Sequence, residues 1–205
     1  WVFPGLFVVL WSTGFIGAKL GLPYAEPATF LKIRFLAVLA ILLPLCWLLR
    51  APWPQTRAEF WHMAFAGALI QGGYLGGVFL SLAQGMPAGV SSLITALQPI
   101  LPAVLSGWLL GERTNARQWL GLALGIARVV LVVREKWVLE GVGFAATALS
   151  VLALASISLG AIWQKRHCAR VDLRTGAAIQ FAAAMLVLSP VALFLETRQV
   201  SWSAE

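Results

Sequence analysis

A few polar side chains interrupt the long apolar runs of this sequence, and their chemistry could bind a small solute. Arg34 lies about five residues inside the apolar run 29–49. A charge inside a membrane-spanning segment is costly and usually marks a pathway or a paired site. The guanidinium would then contact a substrate, such as one with an anionic group, or a gate. The alternative is that Arg34 snorkels to the membrane interface beside Lys32.

The apolar run 88–110 contains a second polar group, in which Thr95 and Gln98 precede Pro99 and Pro102. Each proline removes a backbone donor and can kink a helix. Carbonyl groups freed at membrane depth need a neighbour or a cavity to satisfy them. The pattern therefore predicts a helix that lines a cavity with Thr95, Gln98 and Pro99. The alternative is a packed kink whose polar side chains bond back to their own helix.

Two further pairs of side chains carry polar tips at mid-membrane. Gln71 and Tyr74 lie in the run 60–82, and Trp11 and Ser12 lie in the run 3–21. We include all four among the residues of a substrate path, because an aromatic wall with polar groups suits an organic solute. The alternative for Trp11 is a lipid-facing or core position. The glycines around Gln71 and Tyr74 favour close packing of helices over a binding role.

Residues typical of metal or catalytic sites do not fall into recognisable patterns. His62 and His167 have no metal ligand at the usual spacing, and Cys46 and Cys168 indicate neither a zinc motif nor a disulfide framework. The sequence contains no Gly-x-Ser-x-Gly, no His-Glu-x-x-His and no paired acidic residues inside the apolar runs. We therefore expect no metal, no cofactor and no enzymatic activity.

The amino-acid composition indicates which kind of structure holds these residues in place. Of 205 residues, 60% are hydrophobic and 11% are charged, whereas soluble domains carry roughly 25% charged residues. The net charge of +7 does not indicate nucleic-acid binding, because the basic residues lie at the ends of apolar runs and form no patch. A spanning helix needs about 20 apolar residues. Seven runs qualify: 3–21, 29–49, 60–82, 88–110, 116–133, 141–163 and 175–195.

The seven predicted spans contain an internal repeat. Residues 12–44 align without a gap to residues 158–190, at an offset of 146, with ten identities in 33 positions. The first two spans thus match the sixth and seventh. A period of five helices is odd, so the second copy enters the membrane in the opposite orientation. Copies of spans three to five would lie near 206–279, so we expect a parent of ten helices, of which this sequence holds seven.

The distribution of Lys and Arg predicts the orientation in the membrane. Eight of these residues fall on the side where the first span begins and five on the opposite side. Because cytoplasmic loops carry the excess of Lys and Arg, the start of the chain is expected in the cytoplasm. The loop Lys165–Arg174 is the strongest single signal.

Several short motifs resemble the EamA domain, the repeat unit of the drug/metabolite transporter superfamily. Leu97–Pro102 reads Leu-Gln-Pro-Ile-Leu-Pro, Leu110–Arg113 reads Leu-Gly-Glu-Arg, and Gln118–Gly121 reads Gln-Trp-Leu-Gly. The resemblance covers one five-helix unit, 1–134, and the start of a second, 141–205. It implies ten helices in two inverted repeats, cytoplasmic termini, a central substrate path and no covalent cofactor. Pro102, Glu112 and Arg113 are signature positions with an expected structural role.

Arg128 departs from the pattern of this family, which usually has a small residue at that position. Three interpretations stay open. Arg128 could snorkel outward, since it lies about 9 Å from the helix end at Arg134. It could face an inner polar cavity, or it could disrupt the function of this copy.

Together these features predict an all-α, polytopic integral membrane protein of the bacterial inner membrane, built from inverted five-helix repeats. The expected function is secondary transport, in the direction of export, of small organic metabolites by alternating access. The rival hypotheses are an intramembrane enzyme and a non-transporting membrane sensor or scaffold. The expected partners are membrane lipid and a small-molecule substrate, without nucleic acid. A homodimer is one option for the oligomeric state.

Overall fold

The computed structural model describes residues 17, 20–98, 101–102, 115–140, 143–194 and 196–197. Every regular element in these ranges is a helix. We number six: α1 (Pro27–Leu48), α2 (Arg57–Ala83), α3 (Ala88–Thr95), α4 (Ala116–Glu140), α5 (Phe144–His167) and α6 (Leu173–Phe194). Among the described residues, α1, α2, α5 and α6 are long and apolar enough to cross a membrane. The first predicted span, 3–21, lies almost wholly outside the described residues.

Helices α1, α2 and α6 begin two or three residues before the predicted spans, because polar residues outside the apolar runs start them. Pro27 occupies the first turn of α1, where its missing N–H costs nothing. A capping box starts α2, since Thr56 Oγ1 accepts from the Glu59 N–H at 3.1 Å and Glu59 Oε2 accepts from the Thr56 N–H at 3.4 Å. The helices therefore extend beyond the hydrocarbon-length runs.

The predicted end of the fifth span at residue 133 is wrong. Helix α4 continues to Glu140, through a segment that was expected to connect two spans. Residues 134–140 contain neither Gly nor Pro and are rich in Arg, Glu, Lys and Leu, which are strong helix formers. An apolar run therefore marks the hydrocarbon-length part of a helix and not its end.

The predicted kink in the fourth span corresponds to a break in the structure. Helix α3 ends at Thr95, and tighter bonds follow, from Leu97 N–H to the Ile94 carbonyl at 3.2 Å and from Gln98 N–H to the Thr95 carbonyl at 2.9 Å. A residue before a proline is disfavoured in the α conformation, which explains a turn directly before Pro99. Pro99 itself and most of residues 99–114 lie outside the described residues.

Four helices enclose the largest core. It joins Leu31 and Phe35 of α1, Phe79 of α2, Ile157 of α5 and Leu188 of α6. Helices α1 and α6 run antiparallel along each other, because the start of each contacts the segment that follows the other. Glycines let α2 approach its neighbours closely, as the packing interpretation predicts.

Candidate functional site

Two of the predicted path residues, Tyr74 of α2 and Thr95 of α3, are hydrogen-bonded, and a third, Arg34 of α1, acts on Tyr74 electrostatically. The Tyr74 side chain is 6% exposed, and its hydroxyl is hydrogen-bonded to the side chain of Thr95 on α3. Thr95 Oγ1 donates to the Ser91 carbonyl at 3.0 Å, so it accepts from Tyr74. Arg34 of α1 lies close enough to act electrostatically on the same hydroxyl. Two hydroxyl groups are thus paired between α2 and α3, within the electrostatic reach of the Arg34 guanidinium.

The local structure of α2 explains how Tyr74 reaches this position. Residues Ala68–Leu75 form a π-helix in the middle of α2, a feature that is frequent at functional sites. The wider turn leaves Gln71 half-buried and Tyr74 buried. Gly73 allows the approach of α5, since a Cβ there would come within 2.7 Å of Ser156 Oγ. The sequence analysis missed this segment, because an apolar run does not distinguish a π turn from an α turn.

Arg34 and Lys32 line different surfaces. Arg34 is exposed and acts on Tyr74, whereas Lys32 lines a shallow cleft with Thr29 and Met185. At the position equivalent to Arg34 in the repeat, Gln180 is buried and donates to Met63 Sδ at 3.4 Å. Arg34 and Gln180 therefore differ in charge and exposure.

The other predicted site residues fall into two groups. Gln98 and Pro102 are described and half-buried, and Gln98 follows Thr95 in the turn that ends α3. Arg128 is exposed on α4. The remaining predicted residues lie outside the described residues: Trp11, Ser12, Pro99, Glu112 and Arg113.

Three buried serines form a second polar cluster that the sequence analysis did not predict. Ser81 Oγ donates to the Ala146 carbonyl at 2.6 Å and lies 2.7 Å from Ser150 Oγ, which in turn donates to Ser91 Oγ at 3.4 Å. These hydroxyls join α2, α3 and α5 and satisfy one another. The arrangement is typical of interhelical hydrogen bonding inside a membrane protein.

The structure brings together the two histidines, His62 and His167, to which the sequence assigned no metal site. The rings of His62 and His167 stack with centroids 4.5 Å apart, and the Trp163 ring lies 4.3 Å from that of His167. This aromatic cluster joins the first turns of α2 to the end of α5. Among the residues that the structure describes, no group of three His, Cys, Asp or Glu side chains could hold a metal ion.

Two groups near the same end of the bundle have shifted pKa values. The Arg174 guanidinium and backbone N–H bond to the Asp172 carboxylate and lower its pKa to about 2. Burial raises the pKa of the Cys168 thiol, so this thiol is neutral at physiological pH and weakly nucleophilic. Asp172 and Cys168 lie between α5 and α6, outside the spanning helices.

The contacts between α1 and α6 involve residues that lie 146 positions apart, which is the repeat offset. Thr29 Oγ1, at the start of α1, donates to Glu196 Oε2 after α6 at 2.7 Å. Thr175 Oγ1, its equivalent at the start of α6, donates to the Pro52 carbonyl after α1 at 2.8 Å. Between these ends, the centroid of the Phe35 ring lies 5.4 Å from that of Phe181, the residue that aligns with Phe35 in the repeat.

Apolar helices of spanning length, with polar contacts between them, define an integral membrane protein with several spanning helices. The chain belongs to the EamA-like transporter family, which it matches over residues 3–134. This membership, and the names of its relatives, point to transport and not to an enzyme.

Several curated relatives are named as transporters. One relative is a "Probable amino-acid metabolite efflux pump" of Salmonella typhimurium. The two sequences are 26% identical, and the alignment covers 78% of this chain and 52% of the relative. The chain is 30% identical, over 80% of its length, to 54% of an uncharacterized transporter of Synechocystis. It is also 24% identical, over 91% of its length, to 60% of the uncharacterized inner membrane transporter YedA of Escherichia coli. The chain spans about half the length of the first two of these relatives. No solved structure matches it.

Proposed function

We propose that the full-length protein exports small organic metabolites that carry a carboxylate, and that Arg34, Tyr74 and Thr95 contact the solute. The observation that carries this proposal is the hydrogen bond between Tyr74 of α2 and Thr95 of α3, together with the electrostatic effect of Arg34 of α1 on the Tyr74 hydroxyl. A guanidinium binds a carboxylate through charge-assisted hydrogen bonds, and the two hydroxyls can orient polar groups beside it. The name of the Salmonella relative, an amino-acid metabolite efflux pump, supports this substrate class.

The proposed mechanism is alternating access between two inverted five-helix repeats. The first repeat would occupy residues 1–134, consistent with the family match over 3–134. The reciprocal contacts of Thr29 and Thr175 and the pairing of Phe35 with Phe181 support a two-fold relation between α1 and α6. Inverted repeats can exchange their conformations and so open a central site to either face of the membrane. In this proposal the chain begins in the cytoplasm of a bacterial inner membrane.

An efflux experiment tests this function. Cells that express the full-length protein, or its Arg34→Gln variant, are compared with empty cells by mass spectrometry of the medium. We expect at least one carboxylate metabolite to leave the cells with the unmodified protein. Export should fall more than about ten-fold in Arg34→Gln, because the charge-assisted hydrogen bonds from the guanidinium to the carboxylate are lost.

Two controls sharpen the result. Arg128→Gln removes an exposed arginine of α4 and should export like the unmodified protein, whereas Arg34→Lys keeps the charge and should export better than Arg34→Gln. Equal export by Arg34→Gln and the unmodified protein would remove Arg34 from the path. If the unmodified protein reaches the membrane and exports nothing, the sensor or scaffold hypothesis replaces transport.

A further inference from the structure

Arg50 occupies a backbone position that normally belongs to glycine. It follows the last turn of α1 with a φ of 47°, in the left-handed region that a side chain makes unfavourable. The bonds from Arg50 N–H to the Trp47 carbonyl, at 3.1 Å, and from Ala51 N–H to the Cys46 carbonyl, at 2.9 Å, form a Schellman motif. Glycine would end the helix equally well, so the arginine side chain calls for another explanation.

The side chain of Arg50 lines a cavity of about 530 Å³ together with Trp47 and Trp53. The two indole side chains are 81% and 50% exposed. They lie at the end of a 22-residue apolar helix, where tryptophan is enriched at the level of the lipid head groups. The cavity therefore opens at the membrane interface, and its lining combines one cation with two amphipathic rings.

The surrounding charge favours an anionic occupant. Among the described residues at this end of the bundle, seven are basic and two are acidic. Both acidic side chains already have partners, since Asp172 pairs with Arg174 at 2.9 Å and Glu59 caps the start of α2. Within the described part of the chain, the Arg50 guanidinium makes neither a hydrogen bond nor an ion pair. The basic residues at this end are Arg50, Arg57, Arg117, Lys165, Arg166, Arg170 and Arg174.

We propose that Arg50, flanked by Trp47 and Trp53, binds the phosphate of an anionic phospholipid of the adjacent leaflet. The guanidinium donates to the phosphate oxygens, the indole rings pack on the glycerol region, and the acyl chains follow the exposed apolar surface of α1. A zwitterionic lipid binds less well, because its cationic head group meets the excess of basic residues. This site lies after α1 and is independent of the solute path at Tyr74.

The test uses the full-length protein, purified in a neutral detergent. Retention of phosphatidylglycerol and phosphatidylcholine is measured by native mass spectrometry for the unmodified protein and for Arg50→Asn. Asparagine tolerates the left-handed conformation but lacks the charge. We expect phosphatidylglycerol to bind about five-fold more weakly to Arg50→Asn, the effect of one basic residue near an anionic surface. Arg57→Asn, which removes another basic residue at the same end, should retain the lipid like the unmodified protein.

Two further measurements keep the proposal falsifiable. Arg50→Gly should unfold at a higher temperature than the unmodified protein without lipid, because glycine relieves the backbone, and should gain less stability from phosphatidylglycerol. The proposal fails if Arg50→Asn retains phosphatidylglycerol as well as the unmodified protein. It also fails if millimolar inorganic phosphate displaces the lipid, since the site would then belong to a soluble phosphate.

Discussion

The rings of Phe35 and Phe181 lie 5.4 Å apart, with an interplanar angle of 55°, and the two residues are separated by the repeat offset. When two helices are related by a two-fold axis, a residue meets its own equivalent only near that axis. The contact therefore marks the position between α1 and α6 where the proposed axis passes. Phe35 is fully buried, whereas Phe181 is half-buried, so the two environments are not identical.

Truncation of either ring should lower the stability of the protein. We expect Phe35→Ala to cost about 3 kcal/mol, because it leaves a cavity around a fully buried ring, and Phe181→Ala to cost less. The double variant should lose about 1 kcal/mol less in free energy of unfolding than the sum of the two single losses, since both single changes remove the same ring contact. Unfolding in detergent micelles measures all three values. Additive losses would show that the rings do not stabilise each other.

The carboxylate of Glu196 caps α1 from the far end of the chain. It accepts from the Ala28 N–H at 2.6 Å, the Thr29 N–H at 2.7 Å and the Thr29 hydroxyl at 2.7 Å. Glu196→Gln removes the charge and one acceptor at a helix N-terminus, and should lower stability by about 1–2 kcal/mol. Thr197→Ala is the control, because its exposed bond to Glu26 should contribute little. An equal effect of both changes would contradict the capping role.

The close packing of α2 against α6, and not the geometry of a turn, requires a glycine at Gly67. An added Cβ would overlap the backbone of Gln180 on α6, so Gly67→Ala must separate two helices and should cost more than about 2 kcal/mol. Gly121 of α4 has open space around it, and Gly121→Ala should stabilise by up to about 1 kcal/mol through helix propensity. Thermal unfolding of the two variants gives the comparison. Similar effects would show that α2 and α6 do not approach so closely.

The ion pair of Asp172 and Arg174 should still stabilise the protein in mild acid. Because the pKa of Asp172 is lowered to about 2, its stabilising contribution is present above the ordinary carboxyl pKa and is lost as the pH falls through about 2. Asp172→Asn, which retains a capping side chain, should therefore be less stable than the unmodified protein by the same amount at about pH 7 and pH 5. The difference in unfolding temperature should shrink only in stronger acid. A difference that disappears near pH 4 would show an ordinary, unpaired carboxyl.

The length of the apolar runs made the positions of the spanning helices predictable. The predicted spans 29–49 and 175–195 correspond to Pro27–Leu48 and Leu173–Phe194. The extension of α4 to Glu140 was not predictable from hydropathy, because its last residues are polar helix formers. The π segment of α2 was equally invisible, since it depends on how α5 and α6 pack against Gly72 and Gly73.

The sequence allowed the residues of the candidate site to be identified, but it did not allow their spatial arrangement to be predicted. Arg34, Tyr74 and Thr95 were each identified as polar groups in apolar runs, yet the bond between Tyr74 and Thr95 and the effect of Arg34 on Tyr74 depend on how three helices pack. The stacked pair of His62 and His167 was missed for the same reason, because the two residues lie on different helices far apart in the sequence. Distances between helices follow from tertiary packing, which hydrophobic periodicity does not encode.

In the proposed mechanism the two repeats enter the membrane in opposite orientations. Tyr24 and Arg170 occupy equivalent positions in the repeat, and both are exposed before the start of their helices, α1 and α6. Single cysteines at these positions, with Cys46 and Cys168 replaced by alanine, are treated with a membrane-impermeant maleimide in intact cells and again after permeabilisation. We predict that Tyr24→Cys is labelled in intact cells and Arg170→Cys only after permeabilisation. Labelling of both from the same face would contradict the inverted repeat.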